Sequence, residues 1–283
     1  MSVAVVTDST ASLPAGAADT EQIFVVPLQV VVEGKAYAEG VDIQPSDVAA
    51  ALRAHRSVTT SRPGPRLFLD AYTAAAQRGA DAVVSLHISA ALSGTCESAI
   101  LAARESPIPV EVVDSRTMGM GLGFVVLDAA RRSHAGAGVA EVVAAARACA
   151  AGSSAYFCVA TLEHLRRGGR IGAASALLGS ALAIRPLLVL DDGVIAPLEK
   201  VRTTSRAMAR LEQLAVAAAE GVGGPVAVAV QHLDAADRAE RLAQQLQRRL
   251  PGVGDVLVAE VGAVVGAHVG PGLVGVVVSP LQD

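Results

Sequence analysis

Short apolar runs alternate with longer amphipathic segments through the first half of the chain. The predicted strands are Val3–Thr7, Phe24–Val32, Ala82–Leu86 and Val110–Val113. The predicted helices cover residues 45–56, 67–77, 93–104, 121–133 and 139–151. This alternation is typical of a parallel sheet whose strands are joined by right-handed helical crossovers.

The pattern changes near residue 152. Asp191-Asp192-Gly193 separates two apolar runs, 184–190 and 194–201, and an Asp-Gly turn between such runs predicts a β-hairpin. Further strands are predicted at 155–160, 226–230, 255–260 and 273–278, and helices at 173–183, 203–221 and 235–250. We therefore predict an α/β protein of two domains. Residues 1–153 form a Rossmann-like parallel-sheet domain, and residues 154–283 form a two-layer α+β domain.

Composition narrows the class of protein. Acidic residues (27) outnumber basic ones (23), which argues against a nucleic-acid partner. The three cysteines include no CxxC pair, a usage typical of reduced thiols in the cytoplasm. Gly172–Ile184 is the most membrane-like stretch, but it is shorter than the roughly 20 residues that a span needs. We expect a cytoplasmic protein that does not span a membrane and, without a coiled-coil pattern, a monomer.

Several common catalytic motifs are missing from the sequence. It contains no GxSxG and no Walker A sequence, and the histidines lack metal-ligand spacing. The glycines at 119, 121 and 123 are spaced GxGxG rather than GxGxxG, so ordinary turn chemistry explains them better than a dinucleotide. We expect no metal and no cofactor.

A loop rich in hydroxyl groups, Ser89–Thr95, joins a predicted strand to a predicted helix. Such a loop directs backbone N–H groups and the positive end of the helix dipole outward, which suits an anion. Gly94 permits close approach of a ligand, while Ser93 and Thr95 add hydroxyl donors. On spacing alone, the role of a plain helix cap is favoured for Ser93 over that of a ligand residue.

Four other segments are candidates on weaker grounds. Thr60-Ser61-Arg62-Pro63 places two hydroxyls in a predicted turn, which by itself is an ordinary loop. Arg166-Arg167-Gly168-Gly169-Arg170 is either an anion-binding turn or a solvated basic one. Arg202 precedes a predicted helix and could be a simple surface arginine, and His268 lies between glycines in a predicted loop.

In this order, these motifs resemble the DegV family over nearly the whole chain. The matching phrases are Val5–Thr10, Val26-Pro27-Leu28 followed by Tyr37 and Asp42, Thr60–Pro63, Leu92–Thr95, Val113–Ser115, Leu165–Ile171, Lys200–Thr203 and Gly266–Gly272. Arg62 occupies a position where members of the family often carry a different polar residue.

The resemblance implies a long-chain fatty acid, such as palmitate, buried between the two domains. It implies that Thr60, Ser61 and Ser93, with Gly94 and Thr95 of the same loop, hold the carboxylate, and it favours Thr60 over Ser61 as the direct contact. Arg170, Arg202 and His268 would lie near the headgroup and face a partner. That partner would be a separate ATP-using fatty acid kinase subunit, so the chain would act in lipid transport or fatty acid metabolism without catalysing a reaction itself.

Two alternatives remain open at this point. One is a serine hydrolase acting on acyl esters, with Ser93 as nucleophile and His87 or His268 as base. The other is a protein that binds a small phosphorylated metabolite through Arg166, Arg170 and Arg202.

Overall fold

The computed structural model describes residues 2–177 and 184–281. Within these ranges the strands are β1 (Val3–Asp8), β2 (Phe24–Val26), β3 (Gln29–Val32), β4 (Lys35–Ala38), β5 (Val58–Ser61), β6 (Ala82–His87), β7 (Val110–Asp114), β8 (Ser154–Cys158), β9 (Arg185–Asp191), β10 (Val194–Val201), β11 (Val226–His232), β12 (Leu257–Glu260) and β13 (Val274–Pro280). The helices are α1 (Ala17–Thr20), α2 (Pro45–Arg53), α3 (Pro65–Gln77), α4 (Thr95–Ala103), α5 (Met120–His134), α6 (Val139–Gly152), α7 (Glu163–Arg167), α8 (Thr204–Val222), α9 (Ala236–Arg249) and α10 (Ala263–Val269). Short 3₁₀ helices cover Ser9–Ala11 and Gly172–Leu177.

The first sheet has the order β2-β1-β6-β7, with every pairing parallel, as predicted. Side chains of its two central strands alternate between the two faces. Val5 and Val84 pack with α5 and α6, whereas Val6 and Val83 pack with α3 and α4. Helices on both faces explain why these strands read as continuous apolar runs.

The second sheet has the order β10-β9-β8-β13-β11-β12 and is antiparallel except for the β11–β12 pair. The predicted hairpin around Asp192-Gly193 is present as β9–β10. Helices α8 and α9 cover one face of this sheet, and α5 of the first layer packs on the other through Met120 and Phe124. Strands of the first sheet precede residue 115 and those of the second follow residue 153, while the boundary at 153–154 stays a prediction.

A small third sheet, β4-β3-β5, corrects two predictions. The single predicted strand 24–32 is in fact two strands in different sheets, because Pro27 lacks the N–H that a continuing ladder needs. The predicted polar turn at 59–65 begins as strand β5, which pairs with β3 through Thr60 and Val30. The β-branched run Val58-Thr59-Thr60 favours that strand.

Three more predicted segments differ from the structure. The predicted loop at 266–272 begins within helix α10, because the Ala-Val segment before it is buried as a helix. The predicted basic turn at 165–170 overlaps helix α7. The predicted helix 173–183 is a 3₁₀ helix as far as Leu177, and residues 178–183 lie outside the described residues. Among the helices of residues 2–177 and 184–281, none combines the length and the apolar character that crossing a bilayer requires.

A buried carboxylate joins the ends of the two central parallel strands. Asp8, at the end of β1, accepts hydrogen bonds from Thr10 N (3.0 Å), Thr10 Oγ1 (2.5 Å), Ile88 N (3.0 Å) and His87 Nδ1 (3.0 Å). Asp8 and His87 are fully buried. A buried carboxylate needs such donors because desolvation is costly, so these contacts hold the chain that leaves β6 in one position.

The network continues away from Asp8 through His87, Ser85 and Tyr72. His87 Nε2 contacts Ser85 Oγ at 2.7 Å, and Ser85 Oγ contacts the Tyr72 hydroxyl at 2.9 Å. Burial raises the pKa of Tyr72 to about 12, so its hydroxyl remains protonated.

The network predicts that Asp8→Ala lowers the free energy of unfolding by about 3–5 kcal/mol, because it leaves several buried donors without an acceptor. Urea denaturation followed by circular dichroism measures this change. Glu105→Ala, at an exposed carboxylate, is the control and should change stability by less than about 0.5 kcal/mol. Equal stability of the two variants would contradict the role given to Asp8.

Candidate functional site

A cavity of about 130 Å³ lies beside the carboxyl end of β6. The strand order places β2 on one side of β1 and β6 on the other. The connections that leave β1 and β6 therefore diverge, and such a switch point is where open α/β sheets bind ligands. The cavity also takes walls from the small sheet and from the second half of the chain.

The lining divides into a polar end and an apolar remainder. The polar end consists of Thr60, Ser61, Arg62, Ser93, Gly94, Arg170 and His268. The apolar lining consists of Leu28, Ile88, Leu92, Met118, Leu165, Ile195, Val264, Val265 and Val269. The fold thus brings together six of the eight predicted site residues.

Ser93 lines the cavity and lies one residue before the N-cap position of helix α4. The N-cap of α4 is Gly94, and it makes no side-chain capping bond. The Ser93 hydroxyl instead contacts Thr95 Oγ1 at 2.8 Å and lines the cavity. Thr95 is fully buried and is not part of the described lining, so it supports Ser93 from behind.

Thr60 and Ser61 are adjacent in strand β5, so their side chains point to opposite faces. Thr60 Oγ1 contacts His268 Nε2 at 2.8 Å and is partly buried, whereas Ser61 is exposed and bonds to the carbonyl of Arg62. The strand geometry therefore directs Thr60, rather than Ser61, towards His268 and the interior.

His268 lies in the last turn of α10, not in a loop as predicted. Burial first, and then the charge of Arg170, lower the pKa of His268 to about 4, so the imidazole is neutral at pH 7. Its Nδ1 is buried, with no hydrogen-bond partner among the described residues. The polar end therefore combines a neutral imidazole with a permanent positive charge.

Arg170 connects two parts of the polar end. Its Nε donates to the carbonyl of Leu92 at 3.0 Å, and its Nη1 donates to the carbonyl of Gly168 at 2.6 Å. The first bond fixes the loop that carries Ser93. Both acceptors are uncharged, so the guanidinium keeps its net positive charge beside the cavity.

Two further arginines, the predicted Arg202 and the unpredicted Arg62, differ in their position relative to the cavity. Arg202 is exposed after β10 and does not belong to the described lining of the cavity. Arg62 was not proposed as a site residue, but it lines the rim, pairs with Glu97 and donates to the carbonyl of Gly94 at 3.4 Å. Its charge is therefore balanced locally by Glu97.

Residues 2–281 match the family model described as "Uncharacterised protein, DegV family". The chain belongs to the DegV family. A DegV domain-containing protein of Streptomyces coelicolor is 57% identical over 277 residues, which are 98% of each chain. Protein DegV of Bacillus subtilis is 34% identical over 279 residues, again 98% of each. The resemblance read from the sequence motifs is therefore confirmed.

Two solved structures of DegV proteins have the same fold. One, described as the fatty acid binding of a DegV family protein from Thermus thermophilus, has a TM-score of 0.94 and 36% identity, covering 99% of this chain and 100% of its own. The other, DegV of Bacillus subtilis, described as a fatty acid binding protein, has a TM-score of 0.89 and 32% identity, covering 99% of each. These matches confirm the predicted α/β fold.

In this DegV-family chain, the tip of the β9–β10 hairpin is fastened to the first layer. Ser89 Oγ donates to the carbonyl of Gly193 at 2.7 Å, and Arg116 Nη2 contacts the carbonyl and carboxylate of Asp192 at 2.9 and 2.6 Å. Ile195, two residues beyond this turn, forms part of the apolar lining. The hairpin contacts thus help to place one wall of the cavity.

The low pKa of His268 predicts a specific pH dependence of stability. Because the folded-state pKa lies below the usual 6.5, the unfolded chain takes up this proton first as the pH falls. His268 therefore destabilises the folded chain between about pH 6.5 and 4 and has no such effect above that window. From pH 7.5 to pH 5, the free energy of unfolding of wild type should therefore fall relative to that of His268→Gln. Urea titrations at each pH measure this change.

Exposed His55 offers a matched control. The difference between wild type and His55→Gln should change much less over the same pH range. A His268→Gln difference that stays constant with pH would contradict a buried, neutral imidazole.

Proposed function

We propose that this chain binds a long-chain fatty acid and presents its carboxylate to a separate kinase subunit, which forms the acyl phosphate. The observation that carries the proposal is the lining of the cavity. Three hydroxyls, a neutral imidazole and two arginines form the polar part of the lining, and apolar side chains form the remainder. The fatty-acid-binding descriptions of the Thermus and Bacillus structures support this ligand class.

The polar end has the chemistry needed for a carboxylate. Thr60 and Ser93 supply hydroxyl donors, and Arg170 supplies positive charge without an acidic partner in its own hydrogen bonds. A carboxylate in an apolar cavity requires such donors, since an unpaired buried charge is very costly. The neutral His268 accepts or donates one hydrogen bond without adding a second buried charge.

The aliphatic end has the chemistry needed for an acyl chain. Burial of each CH₂ contributes roughly 0.8 kcal/mol, so the tail supplies most of the affinity. A cavity of about 130 Å³ is similar in volume to one that binds benzene. It accommodates the headgroup and the first carbons, and we infer that a longer chain needs core side chains such as Leu165 and Ile195 to move apart.

Exposure of the polar rim supports presentation to another protein. Ser61 and Arg62 are exposed, whereas Leu165 and Ile195 are buried. The carboxylate end of the ligand therefore faces the rim, and the tail faces the interior. Exposed Arg202 is available to a partner outside the cavity, which fits a role in docking rather than in ligand contact.

The two alternatives find less support in the contacts. A serine nucleophile needs a base within hydrogen-bond reach. His87 contacts Ser85 and Asp8, and His268 Nε2 contacts Thr60. The Ser93 hydroxyl contacts Thr95 instead of either histidine. For a phosphorylated metabolite, the three arginines would have to converge. Arg166 instead forms bonds of 2.9 and 2.7 Å with Glu163, and only Arg170 of the three belongs to the described lining.

Native mass spectrometry of the purified chain tests the ligand class. We expect wild type to retain a fatty acid and the Thr60→Val/Ser93→Ala double variant to retain at least about tenfold less of it. The reason is that each lost hydrogen bond to a charged group costs about 1.5–3 kcal/mol. A retained phosphorylated metabolite would favour the alternative ligand.

Ser106→Ala is the matched control for this experiment. Its hydroxyl bonds to the carbonyl of Ile108, just beyond the other end of α4. Lipid retention by this variant should equal that of wild type. Undiminished retention by the double variant would contradict the headgroup assignment.

Presentation to a kinase has a separate test. A fatty acid kinase ATP-binding subunit, supplied with ATP and the loaded chain, should form an acyl phosphate that hydroxylamine traps as a hydroxamate. Arg202→Ala should reduce this product without reducing fatty acid retention. Reduced retention would instead place Arg202 in the ligand site.

A further inference from the structure

Glu39 is a buried acidic residue outside the cavity that joins three parts of the fold. It follows strand β4 of the small sheet and is 5% exposed. One carboxylate oxygen, Oε1, accepts from the backbone N–H of Val264 at 2.8 Å in helix α10. The other, Oε2, accepts from the hydroxyl of Ser9, which follows β1 of the parallel sheet.

The same three parts are joined by further bonds around Glu39. The Ser9 hydroxyl accepts from Leu28 N at 2.9 Å, and the backbone N–H of Glu39 donates to the carbonyl of Leu28, also at 2.9 Å. Leu28 belongs to the cavity lining. Through Leu28, the hydrogen bonds around Glu39 connect directly to the cavity lining.

Helix α10 depends on contacts from outside itself. It has seven residues, and a helix this short is not stable in isolation. Its N-cap, Gly262, has no side chain to accept from the first N–H groups, which need partners. Glu39 supplies one to Val264, and Ser12 Oγ supplies another to Gly262 N at 3.2 Å.

The small sheet therefore fastens α10 at both of its ends. At the start, Glu39 beyond β4 accepts from Val264. At the C-terminal end of α10, Thr60 of β5 contacts His268. Val264, Val265, His268 and Val269 of this helix all line the cavity. Val264 and His268 are only four residues apart, about one helical turn, so a change in the first attachment acts directly on the second.

We propose that Glu39 is a positioning residue for the carboxylate site, acting through helix α10 to hold His268 against Thr60. This inference rests on the proposed fatty acid binding. Burial raises the pKa of Glu39, the bonds from Ser9 and Val264 oppose that rise, and the nearby Asp8 adds to it. Glutamine keeps an acceptor for Val264 N–H and can direct its NH₂ group to Ser9 Oγ, so Glu39→Gln preserves the attachment of α10.

Titration of the delipidated full-length chain with cis-parinaric acid, a fluorescent fatty acid, tests the proposal. Glu39→Ala should weaken binding by about tenfold, and Glu39→Gln should bind within about twofold of wild type. Long-range ¹H–¹⁵N spectra of the ligand-free chain should show shifted His268 side-chain signals in Glu39→Ala and unchanged signals in Glu39→Gln.

A second variant, at Gly262, disturbs the same contact between Glu39 and Val264 without changing Glu39. Gly262 has φ −59°, which alanine adopts readily, but a Cβ there would press against Glu39 Oε1. Gly262→Ala should therefore displace the carboxylate and weaken binding as Glu39→Ala does. In the double variant the two losses should not add, because both remove one interaction. If Glu39→Ala fails to fold, Gly262→Ala with Glu39→Gln carries the test.

Val216→Ala separates positioning from general stability. Val216 is buried in α8 against the second sheet, away from the cavity lining. Its truncation should lower the melting temperature and leave the affinity and the His268 signals unchanged. Wild-type affinity and unchanged His268 signals in Glu39→Ala and Gly262→Ala would overturn the proposal. Absence of binding by wild type would instead refute the proposed function.

Discussion

The buried carboxylate of Asp8 is the interaction on which the placement of the cavity depends. It accepts from four donors at the point where β1 and β6 end, and one of these donors is the backbone of Ile88, a cavity residue. A carboxylate removed from water cannot release such donors cheaply. The chain leaving β6 is therefore held in one course, which carries it to Ser93. The hydrogen bonds between the ends of β1 and β6 therefore determine the position of the cavity.

The parallel sheet and the hairpin could be predicted because their signals are local. Continuous Val-rich runs mark strands buried on both faces, and Asp192-Gly193 marks a tight turn. The small sheet was not predictable in the same way. Strands β3, β4 and β5 are short and partly exposed, and β5 pairs with β3 across the whole of helix α2, so the polar β5 segment resembles a loop when only its sequence is considered. Pro27 was the one local sign that residues 24–32 could not form a single strand.

The candidate site was predicted in part, and for different reasons at different residues. Thr60, Ser93, Arg170 and His268 were named because their motifs resemble those of the DegV family, and the fold brings them to one cavity. Spacing alone favours Ser93 as a helix cap, and only the backbone shows Gly94 in that position. Arg62 and Glu39 were missed as supporting residues, because their partners Glu97 and Val264 are 35 and 225 positions away.

The cavity lining is drawn from nearly the whole chain, from Leu28 to Val269. Contacts between residues so far apart in the sequence form late in folding. The chain must first close long loops, and the entropic cost of closure comes before the contacts stabilise the fold. The binding site is therefore completed only as the last long-range contacts of the fold are made. A ligand held there binds the finished fold and not its precursors, so by mass action its concentration sets how much of the chain is folded. Where that ligand is scarce, a larger fraction of the same polypeptide is unfolded and open to proteolysis.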